Sequence, residues 1–239
     1  MAGSPSLLIV DDEADACRNL ADIFTDMGYE VDTSHDGFEA LERIRTSRYD
    51  AAVLDLMMPG MDGVELSLEI KQRSPETVAV LATAYPNHPR VDQATKAGLW
   101  KILSKPVDLS QLVSILDQAL KRPLVLVVDD DRDLCANFRD LLRERGYRVG
   151  ISHDVRSASS RLKDNGFGVV LVDLKLPDGD GRELLKKIRS DHADVRTILI
   201  TGDRSEAFGD SPSDAGPDAV CYKPFDVKQL LELFEELGR

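Results

Sequence analysis

Short apolar runs alternate along the chain with longer stretches whose apolar residues recur every three or four positions. The runs in the first half are LLIV (7–10), AAVLDL (51–56), VAVLAT (78–83) and KILS (101–104). Short runs of this kind, set between polar and turn-forming residues, predict strands buried on both faces. One intervening stretch puts Cys17, Leu20, Phe24 and Met27 on a single helical face, with Gly28 following as a stop. Another carries Val64, Leu66, Leu68 and Ile70 among polar residues, and a third spaces Leu112, Ile115, Leu116 and Ala119 helically up to about Lys121. Five strands alternating with five helices predict an α/β unit, a parallel sheet with helices on both faces.

The pattern then repeats. LLIVDDEADACRNL (7–20) matches VLVVDDDRDLCANF (125–138), and Asp129 follows Asp11 by 118 positions. The same offset relates Asp55 to Asp173, Thr83 to Thr201, Lys105 to Lys223, Gly28-Tyr29 to Gly146-Tyr147 and Ser34-His35-Asp36 to Ser152-His153-Asp154. A period this long means two copies of one domain, 6–121 and 124–239. The join, LKRPLVLV, holds no Gly/Ser tether, and Pro123 forces the chain off helix just before the next strand. A restricted arrangement of the two copies is expected.

Composition narrows the function. The 239 residues carry 30 Lys+Arg against 43 Asp+Glu, a formal net charge of −13. Such a chain repels phosphate backbones and anionic membranes, so neither nucleic acid nor a membrane is an expected partner. No apolar run approaches the roughly 20 residues that span a bilayer, and the first residues lack the basic and apolar regions of a signal peptide. Cys17, Cys135 and Cys221 are an odd number with no CxxC pair. Thiols in a reducing cytoplasm, packed in the core, are expected rather than disulfides or a zinc site.

In a parallel α/β sheet, ligands bind at the C-terminal ends of the strands. Asp11-Asp12, Asp55, Thr83 and Lys105 each end a different predicted strand, as do Asp129-Asp130, Asp173, Thr201 and Lys223 in the second copy. A lone Asp-Asp pair is most often a solvated turn, and Lys-Pro after a strand is commonly just a turn. An Asp within an apolar strand is harder to dismiss, because an unpartnered buried charge costs several kcal/mol. Three crowded carboxylates make sense around a hard divalent cation such as Mg²⁺. A carboxylate can also attack a phosphoryl group, whose oxygens then need the cation, an ammonium and a hydroxyl.

On these motifs, both copies resemble receiver domains of two-component response regulators. The residues that carry the resemblance are VDD, VLDLMMPGMDG, LATA and SKP in the first copy, and VDD, LVDLKLPDGDG, LITG and KPF in the second. The resemblance implies two tandem, doubly wound, flavodoxin-like parallel sheets. It implies that Asp55 and Asp173 accept phosphoryl groups from a histidine kinase or a histidine phosphotransfer protein. Mg²⁺, one per receiver, would be held by Asp11, Asp12, Asp55 and the Met57 carbonyl, and by Asp129, Asp130, Asp173 and the Lys175 carbonyl. Thr83 with Lys105, and Thr201 with Lys223, would contact the phosphoryl group. The protein is then a phosphoacceptor rather than an enzyme acting on a separate substrate.

The chain departs from that family in places. Family members often carry an aromatic three residues before the strand-five Lys; here Ile102 and Val220 stand there. PNHPRVDQATKAG (86–98) reads as a short fourth helix, whereas 202–218 holds Gly, Ser and two Pro and is expected to be loop or a shortened helix. Two positions that tune phosphate lifetime in the family are Met57 and Tyr85 in one copy, Lys175 and Asp203 in the other. Different lifetimes are expected. His35 and His153 follow the second strand in a loop and are not read as transfer sites. Trp100 and Tyr222 are read as packing residues, and Leu112, Leu116, Leu230 and Leu231 as packing on their own sheets.

Beyond the two copies the sequence shows no helix-turn-helix, cyclase motif or kinase core. Output by phosphorylation-dependent contact with a downstream protein is expected, with dimer formation left open. The alternatives are a regulatory piece of a larger enzyme, such as a hybrid histidine kinase or a diguanylate cyclase, or one receiver serving as a phosphate sink or structural partner.

Overall fold

The structure, a computed structural model, describes residues 4–86, 88–91, 99–164, 166–202, 216–224 and 227–237. The chain divides into two compact units, Met1–Lys121 and Arg122–Arg239.

In the first unit, β1 (Ser6–Val10), β2 (Glu30–Ser34), β3 (Ala51–Asp55), β4 (Val78–Thr83) and β5 (Lys101–Ser104) form one parallel sheet in the order β2-β1-β3-β4-β5. Helices α1 (Ala14–Asp26), α2 (Gly37–Thr46), α3 (Gly63–Arg73) and α4 (Leu109–Lys121) are described. The stretch read as a fourth helix falls mostly outside the described residues.

Strand side chains alternate between the two faces, and the core divides accordingly. Leu7, Ile9, Val53 and Val80 meet Cys17 and Phe24 of α1 and Leu112 and Leu116 of α4. Leu8, Val10, Leu54 and Leu81 meet Ala40 of α2 and Val64, Leu66 and Ile70 of α3. Two apolar residues of the predicted helical stretches are exposed, Met27 and Leu68. Met27 is the C-cap of α1 and has left the helical face, and Leu68 lies off the stripe made by Val64, Leu66 and Ile70. The cysteines are free and buried, and Trp100 packs against the α1/α4 side of the core.

The second unit repeats the design. Its strands β6 (Leu124–Val128), β7 (Val149–Ser152), β8 (Phe167–Asp173), β11 (Arg196–Thr201) and β12 (Ala219–Tyr222) run in the order β7-β6-β8-β11-β12, all parallel. Its described helices are α5 (Arg132–Glu144), α6 (Val155–Asp164), α7 (Gly181–Asp191) and α8 (Val227–Leu237). Leu230 and Leu231 are buried in their own unit's core, as are Leu112 and Leu116 in theirs. The sequence reading missed one feature. Directly after β8, β9 (Lys175–Leu176) pairs antiparallel with β10 (Gly179–Asp180). Most of 202–218, where a loop was expected, lies outside the described residues.

Candidate functional site

Each sheet delivers its charged residues to one edge. In the first unit β1 ends before Asp11, β3 ends in Asp55 and β4 in Thr83, while β5 stops one residue before Lys105. Parallel pairing puts Asp55 opposite Ala82 and Thr83 opposite Ser104, so these ends lie side by side. The Lys105 ammonium lies 2.8 Å from Asp11 Oδ2 and 2.7 Å from Asp55 Oδ1. The Lys105 N–H donates to the Thr83 carbonyl at 2.8 Å, and the Lys105–Pro106 bond is cis.

Backbone amides hold the carboxylates. The Met57 N–H donates to Asp55 Oδ2 at 3.1 Å, and the Glu13 N–H to Asp11 Oδ1 at 3.0 Å. Thr83 is fully buried, and its Oγ1 accepts from the Tyr85 N–H at 2.9 Å. Asp11, Asp12 and Asp55 offer oxygens that all lie within 4.8 Å of one another. Asp12 is exposed while the other two are buried, so the trio opens to solvent on one side. Clustered hard oxygen donors of this kind suit Mg²⁺.

The second unit reproduces the bridge. Lys223 Nζ lies 2.9 Å from Asp129 Oδ2 and 2.7 Å from Asp173 Oδ1. The Lys175 N–H donates to Asp173 Oδ2 at 2.8 Å, the Asp131 N–H to Asp129 Oδ1 at 2.9 Å, and the Lys223 N–H to the Thr201 carbonyl at 2.7 Å. Lys223–Pro224 is also cis.

Burial pushes the Asp129 carboxyl above its ordinary range, although Lys223 and the Asp131 amide oppose this. Burial alone would lower the Lys105 and Lys223 ammonium groups, but their paired aspartates outweigh it and both are raised. Among the described residues, only the first unit's acidic trio is drawn within 4.8 Å. The side chains of Asp129, Asp130 and Asp173 are less closely gathered.

Three features of the site escaped the sequence. Glycines at the N-termini of α3 and α7 let each helix press against the strand that ends in the buried aspartate: a Cβ on Gly63 would sit 2.2 Å from the Asp55 carbonyl oxygen, and one on Gly181 would sit 2.2 Å from that of Asp173. The preceding residues, Asp62 and Asp180, cap those helices, Asp62 through a capping box with Glu65. The repeated histidines also diverge. His35 is exposed, whereas His153 Nδ1 lies 2.9 Å from the Asp129 carbonyl oxygen, which also receives the Cys135 thiol at 3.3 Å. Ile102 and Val220, at the aromatic position of the family, are partly buried against their cores.

Comparison with known proteins agrees with this arrangement. The chain matches the response regulator receiver domain family over residues 7–117 and again over 125–235. A response regulator receiver protein of Anaeromyxobacter sp. (strain Fw109-5) is 33% identical over 232 residues, covering 97% of this chain and 94% of that protein. The transcriptional regulatory protein ZraR of Klebsiella oxytoca is 34% identical over 114 residues, 48% of this chain but only 26% of ZraR. A solved structure of the response regulator TrrA of Thermotoga maritima, in complex with Mg²⁺–BeF, is 33% identical, covers 47% of this chain and 98% of that one, and has a TM-score of 0.42. Two copies of one sheet, each gathering aspartates, a threonine and a lysine at one edge, thus belong to the response regulator receiver family, and the chain carries two tandem receiver domains of two-component signalling.

Proposed function

We propose that each receiver accepts a phosphoryl group on its strand-end aspartate, Asp55 in the first and Asp173 in the second. The observation that carries this is the lysine bridge, which in both units joins the strand-end aspartate to the first aspartate of the acidic pair. A carboxylate oxygen attacks phosphorus, the P–N bond of a phosphohistidine breaks, and its electron pair returns to the leaving imidazole. An aspartyl phosphate remains. Lys105 and Lys223 supply positive charge to the transferring group, and the hydroxyls of Thr83 and Thr201, buried at the same edge, donate to its oxygens.

The donor set fits Mg²⁺. Asp11, Asp12, Asp55 and the Met57 carbonyl would hold one ion, and Asp129, Asp130, Asp173 and the Lys175 carbonyl a second. When bound, Mg²⁺ neutralises charge on the phosphoryl oxygens. The phosphodonor is a histidine kinase or histidine phosphotransfer protein, and the response passes to a downstream protein in the cytoplasm. Beyond phosphoryl uptake and its own hydrolysis, the protein turns over no substrate.

The two phosphates differ in lifetime. Met57, two residues past Asp55, and Tyr85, two past Thr83, are bulky and exposed, whereas Lys175 stands at the Met57 position of the second receiver and Asp203, at the Tyr85 position, lies outside the described residues. Equal hydrolysis rates at the two aspartates would remove this part of the reading.

The test is phosphoryl uptake from acetyl phosphate with Mg²⁺, read by intact mass. The wild type gains two phosphoryl groups, Asp55→Asn and Asp173→Asn one each, and the double variant none. Uptake that persists in the double variant overturns the assignment. A single group, lost with only one variant, leaves the other receiver as a structural partner.

A further inference from the structure

His35 and His153 occupy the same place in the two repeats, directly after β2 and β7, yet only one of them touches an acidic pair. His153 Nδ1 lies 2.9 Å from the Asp129 carbonyl oxygen. A carbonyl oxygen can only accept, so Nδ1 carries the hydrogen and the ring donates. The Cys135 thiol of α5 donates to the same oxygen at 3.3 Å. The other side of this residue is held as well, because the Asp129 N–H donates to the Ser152 carbonyl at 3.1 Å. Two successive residues, Ser152 and His153, thus grip the Asp129 main chain from both sides.

The gripped carbonyl belongs to the peptide that joins Asp129 to Asp130. A peptide is planar, so fixing its oxygen fixes the plane from which both residues leave. The Asp129 carboxylate is already set by Lys223 and the Asp131 amide, each at 2.9 Å. Asp130 is exposed and leaves from the far end of the same plane.

The first receiver does without the ring. The Asp11 N–H donates to the Ser34 carbonyl at 3.2 Å and the Cys17 thiol to the Asp11 carbonyl at 3.3 Å, as in the second copy. His35, however, is exposed, and among the described residues its ring makes no such bond. A neighbouring side chain differs with it. Glu39 Oε2 receives the His35 amide at 3.0 Å, whereas Ser157 stands at the same offset and its hydroxyl donates to the Asp154 carbonyl at 3.2 Å. The first acidic trio lies within 4.8 Å without a histidine behind it.

We propose that His153 is a positioning residue for the second receiver's cation: it fixes the Asp129–Asp130 peptide so that both carboxylates are presented to Mg²⁺, a task His35 does not perform in the first receiver. The inference rests on the reading that Asp129 and Asp130 hold Mg²⁺ beside Asp173. His153 acts through the peptide and not on the ion. Without the ring the carbonyl keeps only a thiol, which is a weak donor. The pair must then be ordered as the ion binds, and that cost weakens binding.

The test measures Mg²⁺ itself. Calorimetric titration of the full chain carrying Asp12→Asn reads the second site, and the chain carrying Asp130→Asn reads the first. His153→Leu keeps bulk without a donor. His153→Gln keeps a polar side chain but carries its amide nitrogen one bond too far out. His153→Asn puts a nitrogen donor where Nδ1 stands. Leu and Gln are each expected to weaken the second site at least about fivefold, and Asn to stay within about twofold of wild type. His35→Leu leaves the first site within about twofold. Acetyl phosphate uptake at Asp173, read in Asp55→Asn, gives a second measure. With Leu or Gln, the Mg²⁺ concentration for half-maximal rate rises by more than the rate at saturating Mg²⁺ falls.

Unaltered Mg²⁺ binding in Leu and Gln overturns the proposal. So does an Asn variant as weak as Leu, since the packing of the ring and not its hydrogen bond would then be the cause. A first site weakened as much by His35→Leu overturns it too. If the second unit of His153→Leu fails to fold, Gln and Asn decide alone. If acetyl phosphate labels neither aspartate while His153→Gln still weakens Mg²⁺ binding, the phosphoacceptor reading falls and the role of His153 toward the ion stands. A chain that binds no Mg²⁺ overturns both.

Discussion

Lys105 and Lys223 each bridge two aspartates from different strands, and in both units that single side chain joins the ends of the sheet's central elements. Lys105→Met removes the fixed positive charge beside the acceptor, so acetyl phosphate uptake at Asp55 should fall about 100-fold while Asp173 is unaffected, as intact mass over time would show. Gly63 is as constrained as the charged residues. A methyl group there meets the Asp55 carbonyl oxygen, and the main chain must shift to make room. Gly63→Ala should destabilise the first unit by about 3 kcal/mol in denaturant melts and slow uptake at Asp55, because the acceptor strand moves with its carbonyl. The thiols are inert by burial, which pushes Cys17 up to about 11 and Cys135 up to about 12. Neither should react with iodoacetamide at pH 8 in the folded protein, and both should react in denaturant.

Elements here are held at their ends as much as along their faces. Asp36 accepts the Phe38 and Glu39 amides to start α2, Asp62 starts α3, and Asp131 starts α5. Each N-cap contributes about 1 kcal/mol. Asp218 does the same work between strands. It stands just before β12 and accepts from the Thr197 amide at 2.7 Å and the Thr197 hydroxyl at 2.9 Å, with the Arg189 guanidinium 2.9 Å away. Burial would raise this carboxyl, but those bonds outweigh it and hold it below its ordinary 3.8. A depressed carboxyl stabilises the fold above its unfolded value, and that contribution is lost as pH falls through the folded value. Asp218→Asn should therefore lower the second unit's stability by about 1–2 kcal/mol at pH 7, with the difference from wild type shrinking below pH 3.8. A difference that persists undiminished at low pH would show that the charge is not the cause.

Across the whole molecule the two units share a plan and differ in how tightly their acidic groups are gathered. Mg²⁺ that binds only the folded receivers must stabilise them. At tenfold excess over its dissociation constant, each occupied site should gain about 1.4 kcal/mol, read as a raised unfolding midpoint. Asp12→Asn should remove the gain from the first unit alone, and Asp130→Asn from the second alone. A gain that survives both substitutions would place the ion elsewhere.

Much of this was legible in the chain. The alternation of apolar runs with helical stripes, repeated at a fixed offset, determined two parallel α/β units, because a strand that is apolar at every position must be covered on both faces. The same rule placed Asp11, Asp55, Thr83 and Lys105 at one edge before any coordinates, since parallel strands all end on the same side. That Met27 and Leu68 would be exposed was not legible, because helical spacing alone does not say where a cap begins or how wide the buried stripe runs. Tertiary structure decided what spacing cannot carry. It showed that Gly63 lies against the Asp55 carbonyl, that His153 turns onto the Asp129 carbonyl while the identical His35 faces solvent, and that the Phe38 ring lies beside Gly60. Those are contacts between residues distant in sequence, set by how helices seat on a sheet, and the local pattern that forms each element holds no record of them.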